Sequence, residues 1–139
     1  IEDMTPTMNP VKQLPCVLVV EDERELASIL KDNFEVEGFK VILAKDGVEG
    51  LNKINNQRFD SIVLDMRFAK GSGEDVIHAV RSDKNSFNGS TPISVMSGFL
   101  DKHMVDEIKG RINAVFVKPF DPETLVIKVK ELIAAEESS

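Results

Sequence analysis

"SIVLDM" (61–66) decides how this chain is read. Ile62, Val63 and Leu64 form a short unbroken apolar run, the pattern of a strand covered on both faces. That strand ends in a carboxylate, Asp65, where a turn residue such as Gly or Asn would be ordinary. "VLVVEDE" (17–23) repeats the arrangement and ends in Glu21 and Asp22. Two further apolar runs, "SVMSG" (94–98) and "VFVKPF" (115–120), end in Ser97 and Lys118. Four strands thus deliver carboxylates, a hydroxyl and an ammonium at their C-terminal ends.

The stretches between them carry a helical period. Leu26, Ile29, Leu30 and Phe34 mark a first helix, with Gly38 as its stop. "FKVILA" (39–44) is a further strand. Asp46 then stands as the N-cap of a second helix that turns Leu51 and Ile54 inward. Val76, Ile77 and Val80 mark a third helix. Leu100, Met104, Val105 and Ile108 mark a fourth. Asp121 caps a last one, with Pro122 at its first position and Leu125, Val129, Leu132 and Ile133 along its inner stripe. "RFAKGSG" (67–73) and the polar "SDKNSFNGST" (82–91) read as loops, and "EESS" as a frayed tail. The order is strand–helix repeated five times, which implies an α/β fold with a parallel sheet covered on both faces. In such sheets ligands sit beyond the carboxyl ends of the strands. Glu21, Asp22, Asp65, Ser97 and Lys118 would all converge there.

Composition narrows the function. The chain has 139 residues, 42% hydrophobic and 29% charged, with a net charge of −7. That length favours one domain. We place it at 15–136, after a linker or tag remnant at 1–14 and before a tail at 137–139. The opening at Ile1 reads as that of an excised or processed piece. A net negative charge argues against a general nucleic-acid surface, and no apolar stretch has the length of a membrane span. The single cysteine, Cys16, excludes an internal disulfide and fits a reducing, cytoplasmic setting. His78 and His103 have no partner at metal-ligand spacing, and "GSG" (71–73) lacks the Lys-Ser/Thr of a phosphate loop.

Three carboxylates at one sheet edge repel one another, so the site should raise a pKa or hold a cation. Oxygen ligands without His or Cys suit a hard ion such as Mg²⁺. A carboxylate beside that ion can attack phosphorus to give an acyl phosphate. Lys118 and Ser97 would then offset charge on the phosphoryl oxygens. Each residue alone has an ordinary reading: Asp65 as an exposed strand end, Glu21 or Asp22 as a helix cap, Ser97 bonded to nearby backbone, Lys118 solvated. Their joint placement at four strand ends favours one shared site.

The ordered set resembles the response-regulator receiver domain of two-component signalling, over roughly 15–135. "VLVVEDE" is similar to the family's first strand and acidic pair, "IVLDM" to the strand bearing the phosphoacceptor, "VMSG" to the strand with its Ser/Thr, and "VKPF" to its Lys-Pro pair. Gly73, eight residues after Asp65, also matches. The resemblance implies a flavodoxin-like, doubly wound (βα)5 fold with strand order 2-1-3-4-5. It implies that Asp65 accepts a phosphoryl group from a histidine kinase or histidine phosphotransfer protein. Asp22 and Asp65 would bind Mg²⁺, with Glu21 acting through water and the Arg67 backbone carbonyl as a further ligand. Ser97 and Lys118 would hold the phosphoryl oxygens, and a cis Lys118–Pro119 bond would orient the lysine. The face made by the fourth helix, fifth strand and fifth helix would change partners on phosphorylation and could serve a homodimer. Such a module catalyses only its own phosphorylation and dephosphorylation and is not otherwise an enzyme. No nucleic acid or membrane would be bound by this domain.

Two positions depart from the family pattern. Val115 stands where an aromatic residue usually reports on the Ser/Thr, and Phe116 should face the other side of the strand. Ala69 replaces a common proline, so "RFAKGSG" is expected to be more mobile than usual. Arg67 and Phe99 occupy positions that tune phosphoryl lifetime in the family. Val115 leaves open a phosphorylation-independent interaction module of the same fold. A Mg²⁺-dependent phosphohydrolase is the less favoured reading, because Arg67 occupies the place of the second acid.

Overall fold

The computed structural model describes residues 13–67, 72–82 and 87–138. Five strands alternate with five helices: β1 Cys16–Val20, α1 Arg24–Val36, β2 Lys40–Ala44, α2 Gly47–Asn56, β3 Ser61–Asp65, α3 Gly73–Ser82, β4 Ile93–Ser97, α4 Lys102–Ile108, β5 Ala114–Val117 and α5 Pro122–Ser138. All strand pairs are parallel, in the order β2-β1-β3-β4-β5. The flavodoxin-like doubly wound fold expected from the sequence is the one observed. The chain reverses direction across the sheet between β1 and β3, which opens a crevice at their C-terminal ends.

Alternation along the strands sorts the core into two layers. Leu18, Val20, Ile62, Leu64 and Val95 meet Ile54 of α2, Val76, Ile77 and Val80 of α3, and Ile108 of α4. Val17, Val19, Val63 and Met96 meet Leu30 and Phe34 of α1 and Leu125, Val126 and Val129 of α5. The central strands β3 and β4 are buried at every position. The unbroken apolar run in "SIVLDM" follows from that double covering.

The helix ends follow local chemistry. Asp46 Oδ1 accepts from the Glu49 N–H at 2.9 Å, and Asp101 Oδ1 from the Met104 N–H at 2.7 Å, both as N-caps. Asp121 Oδ1 accepts from the Glu123 N–H at 3.0 Å. Gly38 ends α1 with φ of 89°, a left-handed conformation that suits glycine.

Some expectations are corrected. Ile29 is exposed, and Ala27 takes the inward place in α1, because the buried stripe runs through Ala27, Leu30 and Phe34. In α2 Gly50 also packs tightly on the sheet: a Cβ there would lie 3.1 Å from a Val20 methyl. Val126 is buried on the inner face of α5, whereas Leu132 is half-buried. That helix runs on through Ser138, past the start of the expected tail. The polar stretch 82–91 is not simply a solvated loop: Asn88 and Thr91 are buried, because their side chains satisfy backbone groups of the α2–β3 connection. Most of the expected linker (1–12), Ala69 and the centre of its loop (68–71), and residues 83–86 lie outside the described residues.

Candidate functional site

The C-terminal rim of the sheet gathers the polar strand ends. Asp65 closes β3 and is 5% exposed; Glu21 follows β1 and is 2% exposed. Lys118, just past β5, donates through Nζ to Glu21 Oε1 at 2.9 Å and to Asp65 Oδ2 at 3.0 Å. Glu21 spends its other oxygen on the Glu23 N–H at 3.0 Å, at the start of α1, and Asp65 Oδ1 accepts from the Arg67 N–H at 3.1 Å. The helix-cap reading of Glu21 is not realised: Glu23 is the N-cap of α1, no side chain caps that helix, and Glu21 accepts from the Glu23 N–H just before its first turn. The Lys118–Pro119 bond is cis, as the resemblance implied.

Glu21, Asp22 and Asp65 each offer a carboxylate oxygen, and these atoms lie within 4.8 Å of one another. Asp22 is exposed, so the cluster opens to solvent on one side. One ammonium cannot balance three carboxylates. Burial pushes the Glu21 carboxyl up to about 7, against the opposing pull of the Glu23 N–H and Lys118. Burial alone would lower the Lys118 ammonium, but the bonds from Glu21 and Asp65 outweigh it and raise its pKa. The donor set is oxygen only, and its excess negative charge fits a hard divalent cation better than a soft one.

Ser97 ends β4 on the strand next to Asp65, yet its hydroxyl is engaged elsewhere. It donates to the Phe99 carbonyl at 2.6 Å and accepts from the Phe99 N–H at 3.2 Å. The reading of Ser97 as bonded to nearby backbone thus describes this state. Met104 of α4 places its Sδ 4.0 Å from the same hydroxyl oxygen. In the sequence Met104 reads only as part of an apolar stripe, and nothing there marks its contact with Ser97. Val115 is 39% exposed, while Phe116 packs in the opposite layer with α1 and α5, as strand alternation requires.

Gly73 has a steric reason. A Cβ there would lie 2.8 Å from the Met66 Cα and 2.9 Å from the Asp65 carbonyl oxygen. The first turn of α3 therefore presses on the backbone that holds Asp65. The Arg67 backbone bridges to Ser72 across that loop.

Comparison with known proteins agrees with this geometry. The profile of the response regulator receiver domain matches residues 17–130. The transcriptional regulatory protein CpxR of Escherichia coli (strain K12) is 31% identical over 120 residues, covering 84% of this chain and 48% of that protein. The alkaline phosphatase synthesis transcriptional regulatory protein PhoP of Bacillus subtilis (strain 168) is 32% identical over 124 residues, covering 87% and 49%. The chain spans about half the length of these curated relatives. Among solved structures, the receiver domain of Francisella response regulator 1452 superposes with a TM-score of 0.78 at 28% identity, covering 88% of this chain and 98% of that one. The chemotaxis protein CheY4 of Vibrio cholerae gives 0.77 at 28%, covering 86% and 98%. The acidic crevice, the lysine bridging Glu21 and Asp65, and the β2-β1-β3-β4-β5 sheet thus sit in a chain that belongs to the response regulator receiver domain family.

Proposed function

We propose that the chain is a phosphorylation-dependent switch module with Asp65 as the phosphoacceptor. The observation that carries this reading is the Lys118 ammonium, bonded at once to Asp65 and Glu21 from across the sheet. An Asp65 carboxylate oxygen attacks the phosphorus of a phosphohistidine on a histidine kinase or phosphotransfer protein. The new O–P bond forms as the donor's P–N bond breaks. The electron pair leaves on the imidazole nitrogen, which takes up a proton. Lys118 keeps its charge beside the incoming phosphoryl oxygens, and the Ser97 hydroxyl turns to donate to one of them. Asp22, Asp65 and the Arg67 carbonyl would hold Mg²⁺ directly, with Glu21 acting through water. When bound, the ion supplies further positive charge beside the phosphoryl group. Hydrolysis of the acyl phosphate resets the module, which turns over no other substrate.

The working unit is taken as 15–136. The exposed Val105, Val115 and Val117 support α4, β5 and α5 as the face that changes partners, with a homodimer as one use of it. No described helix is long and apolar enough to cross a membrane. A cytoplasmic setting and a domain without nucleic-acid contacts accord with the lone cysteine and the net charge of −7.

The test is intact-protein mass spectrometry after incubation with acetyl phosphate and Mg²⁺. One added phosphoryl group is expected, and none in Asp65→Asn. Val115 and the bond from Ser97 to Phe99 favour a second reading, an interaction module that works without phosphate. No adduct in the native chain would select that reading. Many turnovers of an organic phosphate would select a hydrolase.

A further inference from the structure

Val115 leaves the switch without its usual aromatic reporter, and the contacts of Ser97 point to a replacement. We infer that Met104, on the first turn of α4, reads the position of the Ser97 hydroxyl and couples it to α4. This rests on the phosphoacceptor reading above and extends it.

A serine hydroxyl carries one proton to donate. Here that proton goes to the Phe99 carbonyl, at 2.6 Å. It cannot be given to a phosphoryl oxygen at the same time. Turning toward phosphate frees the Phe99 carbonyl and takes away the acceptor of the Phe99 N–H. Both bonds that hold the β4–α4 connection to the strand end are lost together. A Cβ added at Gly98 would meet nothing within 4 Å, and Phe99 is 58% exposed.

Met104 sits where this loss is felt. Its Sδ is 4.0 Å from the Ser97 Oγ, and its N–H is fixed by the Asp101 cap. The side chain packs on the layer that includes Val95 and Ile108. A flexible, polarizable thioether can follow a small movement by changing rotamer, where a branched side chain would resist. The helix it belongs to is only seven residues long. Departure of the hydroxyl removes one wall of the Met104 site, and α4 shifts as Met104 repacks.

Methionine-methyl and amide NMR of the chain, with Mg²⁺ and beryllofluoride as the phosphoryl mimic, tests this. The ¹⁹F signal of the bound mimic reports loading, and Met104→Leu assigns the methyl. On loading, the Met104 methyl should move together with the α4 amides. In Met104→Ala loading should persist, while the α4 response collapses to that of the remote last turn of α5. A loaded native chain whose Met104 methyl stays in place overturns the inference, whether or not the alanine variant folds. A full α4 response in loaded Met104→Ala also overturns it, since Met104 would then be packing alone. Both results leave the phosphoacceptor reading standing. No loading of the native chain by the mimic would overturn both readings.

Discussion

The two ends of the sheet bury polar groups in opposite ways. At the N-terminal end the joint is Asn88, fully buried. Its Nδ2 donates to the carbonyls of Ile54 and Gln57, each at 2.8 Å. Its Oδ1 accepts from the Phe59 N–H at 2.8 Å, and the Thr91 hydroxyl lies 3.0 Å away. Asn113 does similar work for β4, accepting from the Ile93 N–H at 2.9 Å. These groups are uncharged, and backbone partners take up their bonding capacity. At the C-terminal end the groups are ionisable: Lys118 bonds both Glu21 and Asp65, and each carboxyl group also accepts from one backbone N–H. Ser97 is tied there to the backbone of Phe99. A saturated neutral network locks two loops in place. An unbalanced charged one keeps capacity for a ligand, at some expense in stability.

That contrast can be broken experimentally. Lys118→Ala removes a charge aimed at the transferring group, and phosphorylation by acetyl phosphate should slow by about 10²-fold. Comparable slowing in Asn88→Ala would erase the distinction between the two ends. Asn88→Ala should instead lower the unfolding free energy by roughly 3 kcal/mol, read as the urea midpoint. It orphans two buried carbonyls and an N–H. The adduct at Asp65 should still form.

Gly73→Ala sharpens the boundary between scaffold and site. The added methyl would meet Met66 and Asp65 backbone at 2.8 and 2.9 Å. A loss of about 2 kcal/mol is expected from the overpacking. A reduced yield of adduct should accompany it, because the strained backbone carries the acceptor.

The smallest effect concerns protons. The folded state holds a proton on Glu21 up to about 7, well above the ordinary glutamate value of 4.5. Between those values the native chain binds more protons than the unfolded one. Its unfolding free energy therefore falls as pH rises, by at most about 1.4 kcal/mol per unit. Urea titrations in EDTA should show that slope, and Glu21→Gln should flatten it. A slope of the opposite sign would mean that Lys118 already stabilises the carboxylate fully.

Much of the fold was legible because burial on both faces leaves an unmistakable apolar run. β3 and β4 show it most plainly, and the polar residues that end those runs announced the rim. The partial failures have a common cause. Ile29 and Ala27 both suit a helix face, and only the packing of α1 on the sheet decides which turns inward. Asn88 lies in a stretch with the composition of a solvated loop, and its partners are about 30 residues away in sequence.

By itself the sequence determined the alternation of strands and helices, the caps at Asp46 and Asp121, and the chemical identity of the groups at the strand ends. Those depend on neighbours a few residues apart, whose spacing is written in the chain. Tertiary structure alone decided that Lys118 bonds Glu21 and Asp65, that Ser97 meets Met104, and that Gly73 must lack a side chain. These are contacts between side chains and backbone set by how the elements pack, and a linear spacing carries no record of which atoms that packing brings together.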